Sequence, residues 1–164
     1  MKNKLTTAIL ISVLLCILLT PITIVSATKP IEMTVTVTPG PANVEEEPLP
    51  SGLVKVTFST TQEWTGDWVG TVWQSGTGIV RLPSLLAGHG KPFMIIDCFG
   101  EFTGTIKGKT GTVIYYARNI LTPEGDYFSA IITILGGTDE LGNIHGHGTV
   151  GEGIMHIWVH FDPS

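Results

Sequence analysis

Two hydrophobic patterns divide the chain. Residues 5–19 are almost wholly apolar, behind Lys2 and Lys4; Pro21 breaks the run and Val25-Ser26-Ala27 follows with small residues. Basic, then apolar, then small is the layout of a secretory signal peptide, cut after Ala27. Beyond that point no stretch sustains a 3.6-residue apolar period. Apolar side chains recur at every second position instead, and turn residues interrupt them every eight to twelve positions or so, which predicts β-strands throughout.

Residues 28–50 read as an extended Pro/Glu-rich preface. It holds a short strand-like run (31–38), then Pro39-Gly40-Pro41 and Glu45-Glu46-Glu47. We expect it to be mobile or to lie along a sheet edge. In residues 53–61, Val54, Val56 and Phe58 alternate with Lys55, Thr57 and Ser59. Residues 64–73 read as one aromatic strand interrupted by Gly66 and Gly70, and residues 79–82 as a further short strand. A loop over 83–92 carries His89. Residues 92–107 and 110–119 form a hairpin about Gly108, and residues 127–135 form the next strand. Residues 143–150 and 154–161 close the sequence as a hairpin around Glu152-Gly153. These segments predict an all-β fold, with about eight strands after residue 50. Eight short antiparallel strands close into a small barrel whose interior holds side chains or one small ligand. The predicted organisation is a signal peptide (1–27), a preface (28–50) and a β-barrel domain (51–164).

Composition narrows the function. Removing residues 1–27 takes away two of the nine cationic side chains and none of the fourteen acids, so the formal charge falls from −5 to −7. An acidic surface repels phosphate backbones and excludes nucleic acid as a natural partner. A membrane enters only if the apolar segment stays uncleaved as an N-terminal anchor, for which it is long enough. Cys16 leaves with the signal, so Cys98 is the one thiol left and no internal disulfide forms. Flanked by Met94, Ile95, Ile96 and Phe99, it reads as a buried, inert thiol.

Two segments resemble a known family. Residues 102–113 read FTGTIKGKTGTV, a strand ending in a G-x-x-x-G-x-x-G hairpin (Gly104, Gly108, Gly111). Residues 134–149 read ILGGTDELGNIHGHGT and match G-T-x-x-L-x-x-x-x-G-x-G-T from Gly137 to Thr149. In this order they resemble the domain-of-unknown-function family 3224, over roughly residues 53–162. The sequence departs from the family's pattern at Asn143-Ile144-His145. The resemblance implies a small antiparallel barrel related to the allene oxide cyclase and dirigent-type barrels, often dimeric, with a pocket at one mouth. It implies no activity and carries no catalytic residue across.

Four of the five histidines lie in the closing hairpin. If Glu152-Gly153 is a two-residue turn, His145 faces His160, His147 faces Trp158 and Thr149 faces His156, all on one face. Ile144, Gly146, Gly148 and Val150 then share the opposite, core-facing side with Met155, Ile157, Val159 and Phe161. His145, His147, His156 and His160 are candidate ligands for zinc or copper, because opposed strand residues bring their Cβ atoms within about 5 Å. The alternative is an exposed or pH-sensitive homodimer face of clustered imidazoles. Asp67, Asp97 and Glu101 either approach the barrel mouth or form an outward polar face. No nucleophile elbow, phosphate loop or dinucleotide fingerprint is present.

The function expected is therefore a secreted, non-catalytic barrel that binds a small apolar molecule. Trp68, Trp73, Phe102 and Tyr115 are the candidate lining, with no cofactor. The alternatives are a cyclase- or isomerase-type enzyme at the barrel mouth, which requires a perturbed acid in the pocket, and a metal-binding module built on the histidine hairpin.

Overall fold

The structure, a computed structural model, describes residues 29–50, 52–81, 93–121, 128–151 and 154–162. The stretch read as a signal peptide, the predicted loop with His89 and the expected turn at Glu152-Gly153 lie outside them. Eight antiparallel strands form one sheet that closes on itself in chain order: β1 (Ile31–Pro48), β2 (Val54–Gly66), β3 (Trp68–Arg81), β4 (Phe93–Ile106), β5 (Lys109–Leu121), β6 (Phe128–Gly137), β7 (Ile144–Gly151) and β8 (Ile154–Phe161). β1 closes the ring by pairing with both β2 and β8.

Among the described residues, seven strands, not eight, follow residue 50. The eighth is the segment expected to be a preface. Residues 31–36 of β1 pair with β8; beyond them β8 has ended, and β1 continues against β2 alone. Pro39 and Pro41 are tolerated because they lie at a register shift between Pro39 and Ala42 on this half-free stretch. The three glutamates are exposed strand residues, and Glu47 pairs with Lys55 at 2.9 Å. Residues 64–73 span a turn rather than one strand: Gly66 (φ +106°) reverses the chain between β2 and β3. Residues 79–82 add no separate strand, since β3 runs on through the Ser75-Gly76-Thr77-Gly78 stretch to Arg81.

The two ends of the ring differ. At one end the connections are tight. The β4–β5 turn uses Lys107 and Gly108, both at positive φ, the geometry of a type I′ hairpin. A short 3-10 helix, η1 (Asp139–Leu141), buries Leu141 completely against β5. Inward positions here are large: Met33, Trp68, Phe102, Ile106, Val113 and Ile144 are all buried. Burying a side chain such as Phe102 contributes roughly 1.5–3 kcal/mol. Toward the other end the inward positions become small (Gly76, Gly78, Gly100, Ala117, Ala130, Gly148), and β2–β5, at 13 or 14 residues, outreach β7 and β8, at 8. The sequence therefore packs one half of the interior and leaves the other half hollow.

Candidate functional site

The hollow half holds a cavity of about 280 Å³. Trp64, Tyr115, Ile132 and Met155 form much of its wall, with Val37, Pro39, Ala117, Ala130 and Val150. Three neutral amides, Gln62, Gln74 and Asn119, complete it. A second space of about 280 Å³ lies along the longer strands, lined by Ala42, Val44, Val56, Phe58, Met94 and Ile96; Gln74 and Asn119 line this one too.

Aromatic packing fixes the first cavity's wall. The Trp64 ring lies 5.8 Å from Trp68, 5.8 Å from Phe102 and 5.5 Å from Tyr115, between ring centres. Such offset contacts hold rings in place beyond simple area burial. The buried polar tips are satisfied. Trp64 Nε1 donates to Gln62 Oε1 at 3.0 Å, Trp68 Nε1 to Met33 Sδ at 3.2 Å, and the Tyr115 hydroxyl to Gln74 Oε1 at 2.9 Å. Asn119 Nδ2 donates to the Ile96 carbonyl and to Cys98 Sγ, both at 3.4 Å. The remaining atoms of these amides, Gln62 Nε2, Gln74 Nε2 and Asn119 Oδ1, take no further hydrogen bond among the described residues.

No described lining residue carries a charge. Tyr115 is the one titratable group in the wall, and burial pushes its hydroxyl well above the ordinary phenol range. Cys98 lies beneath Asn119, buried, with its thiol also pushed up by burial. Its lining offers no carboxylate or imidazole among the described residues to move a proton at neutral pH.

Of the four residues expected to line the site, the structure places Tyr115 in the wall. Trp68 and Phe102 sit lower, in the packed end, 1% and 0% exposed, where Trp68 touches Trp64 from behind. Trp73 is on the outer surface and 53% exposed. Trp64, Gln62, Gln74 and Asn119 were missed. Alternation from Val72 puts Gln74 inside and Trp73 outside, so the signal was present once β3 is read as starting at Trp68. Asp97 and Glu101 share the outward face. Arg118 holds Asp97 with a two-pronged contact (Nε to Oδ1 2.7 Å, Nη2 to Oδ2 3.0 Å), and Tyr116 donates to the same carboxylate. Asp67 sits at the β2–β3 turn of the packed end. It accepts from Lys107 and from the Thr34 N–H, and both bonds hold its carboxyl below the usual range.

The histidine hairpin has the expected register: His145 opposes His160, His147 opposes Trp158 and Thr149 opposes His156. Ile144, Met155, Ile157 and Val159 are buried on the other face. The His145 and His160 rings stack 5.1 Å apart and nearly parallel, at 9°. Asp162 lies 3.5 Å from His145 Nδ1, and Glu32, on β1, lies 3.8 Å from His156 Nδ1. Among the described residues, no group of three or more His, Cys, Asp or Glu side chains is placed to hold a metal ion.

Comparison with known proteins bears on the fold. No family model matches the chain, and no curated protein matches it. Among solved structures, it is similar to a protein of unknown function from the DUF3224 family of Shewanella oneidensis MR-1, with a TM-score of 0.63 over 83% of this chain and 100% of that one. At 12% identity the likeness is one of architecture. The closed eight-stranded sheet described above is thus a fold shared with a DUF3224 family protein whose own function is unknown.

Proposed function

We propose that the protein is an exported, non-catalytic binding protein that holds a small, predominantly apolar molecule inside its barrel. The observation that carries this reading is the cavity of about 280 Å³, walled by Trp64, Tyr115, Ile132 and Met155 and free of charge among its described lining. Concave, mostly apolar sites with a few placed polar groups are the usual form of small-molecule pockets. The basic-apolar-small order of residues 1–27 supports export. The allene oxide cyclase and dirigent kinship implied by the sequence resemblance is consistent with a pocket in such a barrel.

Titration with Nile red, a neutral solvatochromic dye, tests the reading. Binding enhances and blue-shifts the dye emission and changes tryptophan fluorescence through Trp64. Ala130→Leu fills the cavity and abolishes both signals, while near-ultraviolet circular dichroism shows the fold retained. A folded wild-type protein that leaves the dye unchanged rules the proposal out.

A further inference from the structure

The two cavities share two residues, both of them amides: Gln74 and Asn119 line both. On β2 the first space touches Gln62 and Trp64 and the second touches Val56 and Phe58. Trp64 and Val56 are separated by roughly 26 Å of strand at about 3.3 Å per residue. Joined at these two amides, the spaces follow β2 from Trp64 to Val56, with Gln62 polar beside Trp64 and Gln74 and Asn119 at the waist, and suit an extended molecule better than a compact one.

The waist is chemically specific. Gln74 Oε1 is taken by the Tyr115 hydroxyl, which leaves the Nε2 donor. Asn119 Nδ2 is taken by Ile96 O and Cys98 Sγ, which leaves the Oδ1 acceptor. One donor and one acceptor are what a hydroxyl needs, since it accepts through its lone pairs and donates its proton. An alkane that displaces water from the waist leaves both amides unpaired, which costs free energy. A carboxylate would accept from the free Gln62 and Gln74 Nε2 donors, but it finds no cation in the described lining and at the waist meets Asn119 Oδ1, another acceptor.

We infer that the two cavities form one elongated site and that its ligand is an uncharged, extended, lipid-like molecule with a hydroxyl between two apolar arms, read by Gln74 and Asn119. The inference rests on the proposal of an internal apolar site and names its ligand class.

Displacement of Nile red tests it. The competitors are a hexadecanol with its hydroxyl at mid-chain, the same chain without the hydroxyl, palmitate, and a short secondary alcohol. The mid-chain alcohol displaces the dye roughly tenfold better than the alkane, the size of one net hydrogen bond, and better than palmitate or the short alcohol. Gln74→Leu and Asn119→Leu each erase most of that preference but still bind the dye. Val56→Asp, in the second space eight residues along β2 from Trp64, weakens the long alcohol and spares the short one. If the dye binds but all four competitors displace it alike, or if the leucine variants keep the preference, this inference fails and the apolar site stands. If the dye does not bind at all, both fail.

Discussion

The Tyr115 hydroxyl donates to Gln74 Oε1 at 2.9 Å between two strands that are not neighbours. β4 lies between them, and Gly100 is the residue that faces Gln74 on one side and Tyr115 on the other. The phenol ring crosses over Gly100 to reach the amide. A Cβ built on Gly100 would stand 2.1 Å from Tyr115 Cζ. The missing side chain is what lets the ring lie there, set the cavity wall and orient Gln74.

Gly100→Ala therefore forces the ring aside. Overpacking of this kind costs about 1–3 kcal/mol, and the displaced hydroxyl lets go of Gln74. Tyr115→Phe keeps the ring and removes only the hydrogen bond, at about 1 kcal/mol. Urea unfolding of both variants separates the two effects. Equal, near-zero changes in the unfolding midpoint would show that the ring does not pass over Gly100.

The two tryptophans nearest in sequence on either side of Val72 have opposite fates. Trp68 is buried and Trp73 lies outside; Trp64, across the turn, walls the cavity. Trp64→Ala should cost about 3–5 kcal/mol, the range for large-to-small changes in a core. Trp73→Thr should cost less than about 0.5 kcal/mol, as exposed substitutions do. Intrinsic fluorescence adds a second check: iodide reaches the outward Trp73 and Trp158 and spares the buried Trp64 and Trp68, so Trp73→Thr should remove part of the quenchable emission and none of the protected emission. A Trp73→Thr variant as damaged as Trp64→Ala would reverse the assignment of faces on β3.

The register and the two faces of the closing hairpin were legible in the sequence. Its faces are chemically distinct, imidazoles against aliphatics and glycines, and a two-residue turn leaves one register compatible with both. The polar waist was not legible in the same way. Gln62, Gln74 and Asn119 look like surface residues until the parity of β3 is fixed at Trp68, and that parity depends on a turn at Gly66-Asp67. The turn is held by side chains from elsewhere, Asp67 with Thr34 and Lys107, which no local pattern announces. β1 was obscured for a different reason. Its second half pairs on one side only, so prolines and glutamates cost it little, and the composition resembles a linker.

On the outer face, Asp97 is held by Arg118 and Tyr116, which lowers its carboxyl from an ordinary 3.8 to about 2. A depressed pKa in the folded state stabilises the fold above the unfolded value, and that contribution is lost as pH falls through the folded one. The window is thus from about pH 4 down to about 2. The pair is half exposed, so the effect is small and screened by salt. Carboxyl carbon-13 titration should give Asp97 a midpoint near 2. Arg118→Gln should return it toward 3.8, with Tyr116 supplying the residual depression. An Asp97 that titrates near 3.8 in the wild type removes the pairing from the solution structure.

Cys98 offers the last measurement, because its thiol is a reporter placed under the waist of the proposed site. It is 1% exposed, burial raises its pKa, and Asn119 Nδ2 bonds its sulfur. The thiolate is the form that attacks disulfide reagents, so both burial and the raised pKa suppress labelling. With residues 1–27 absent it is the sole thiol, and labelling by Ellman's reagent then reads its accessibility alone. The native protein should label slowly, limited by opening of the barrel, and at once in denaturant. Asn119→Ala removes the side chain between the cavity and the sulfur, so labelling should quicken without a matching loss of global stability. Nile red held in the cavity should slow it again. A thiol that labels rapidly in the folded wild type would mean that the cavity already reaches Cys98, and that Asn119 does not cover it.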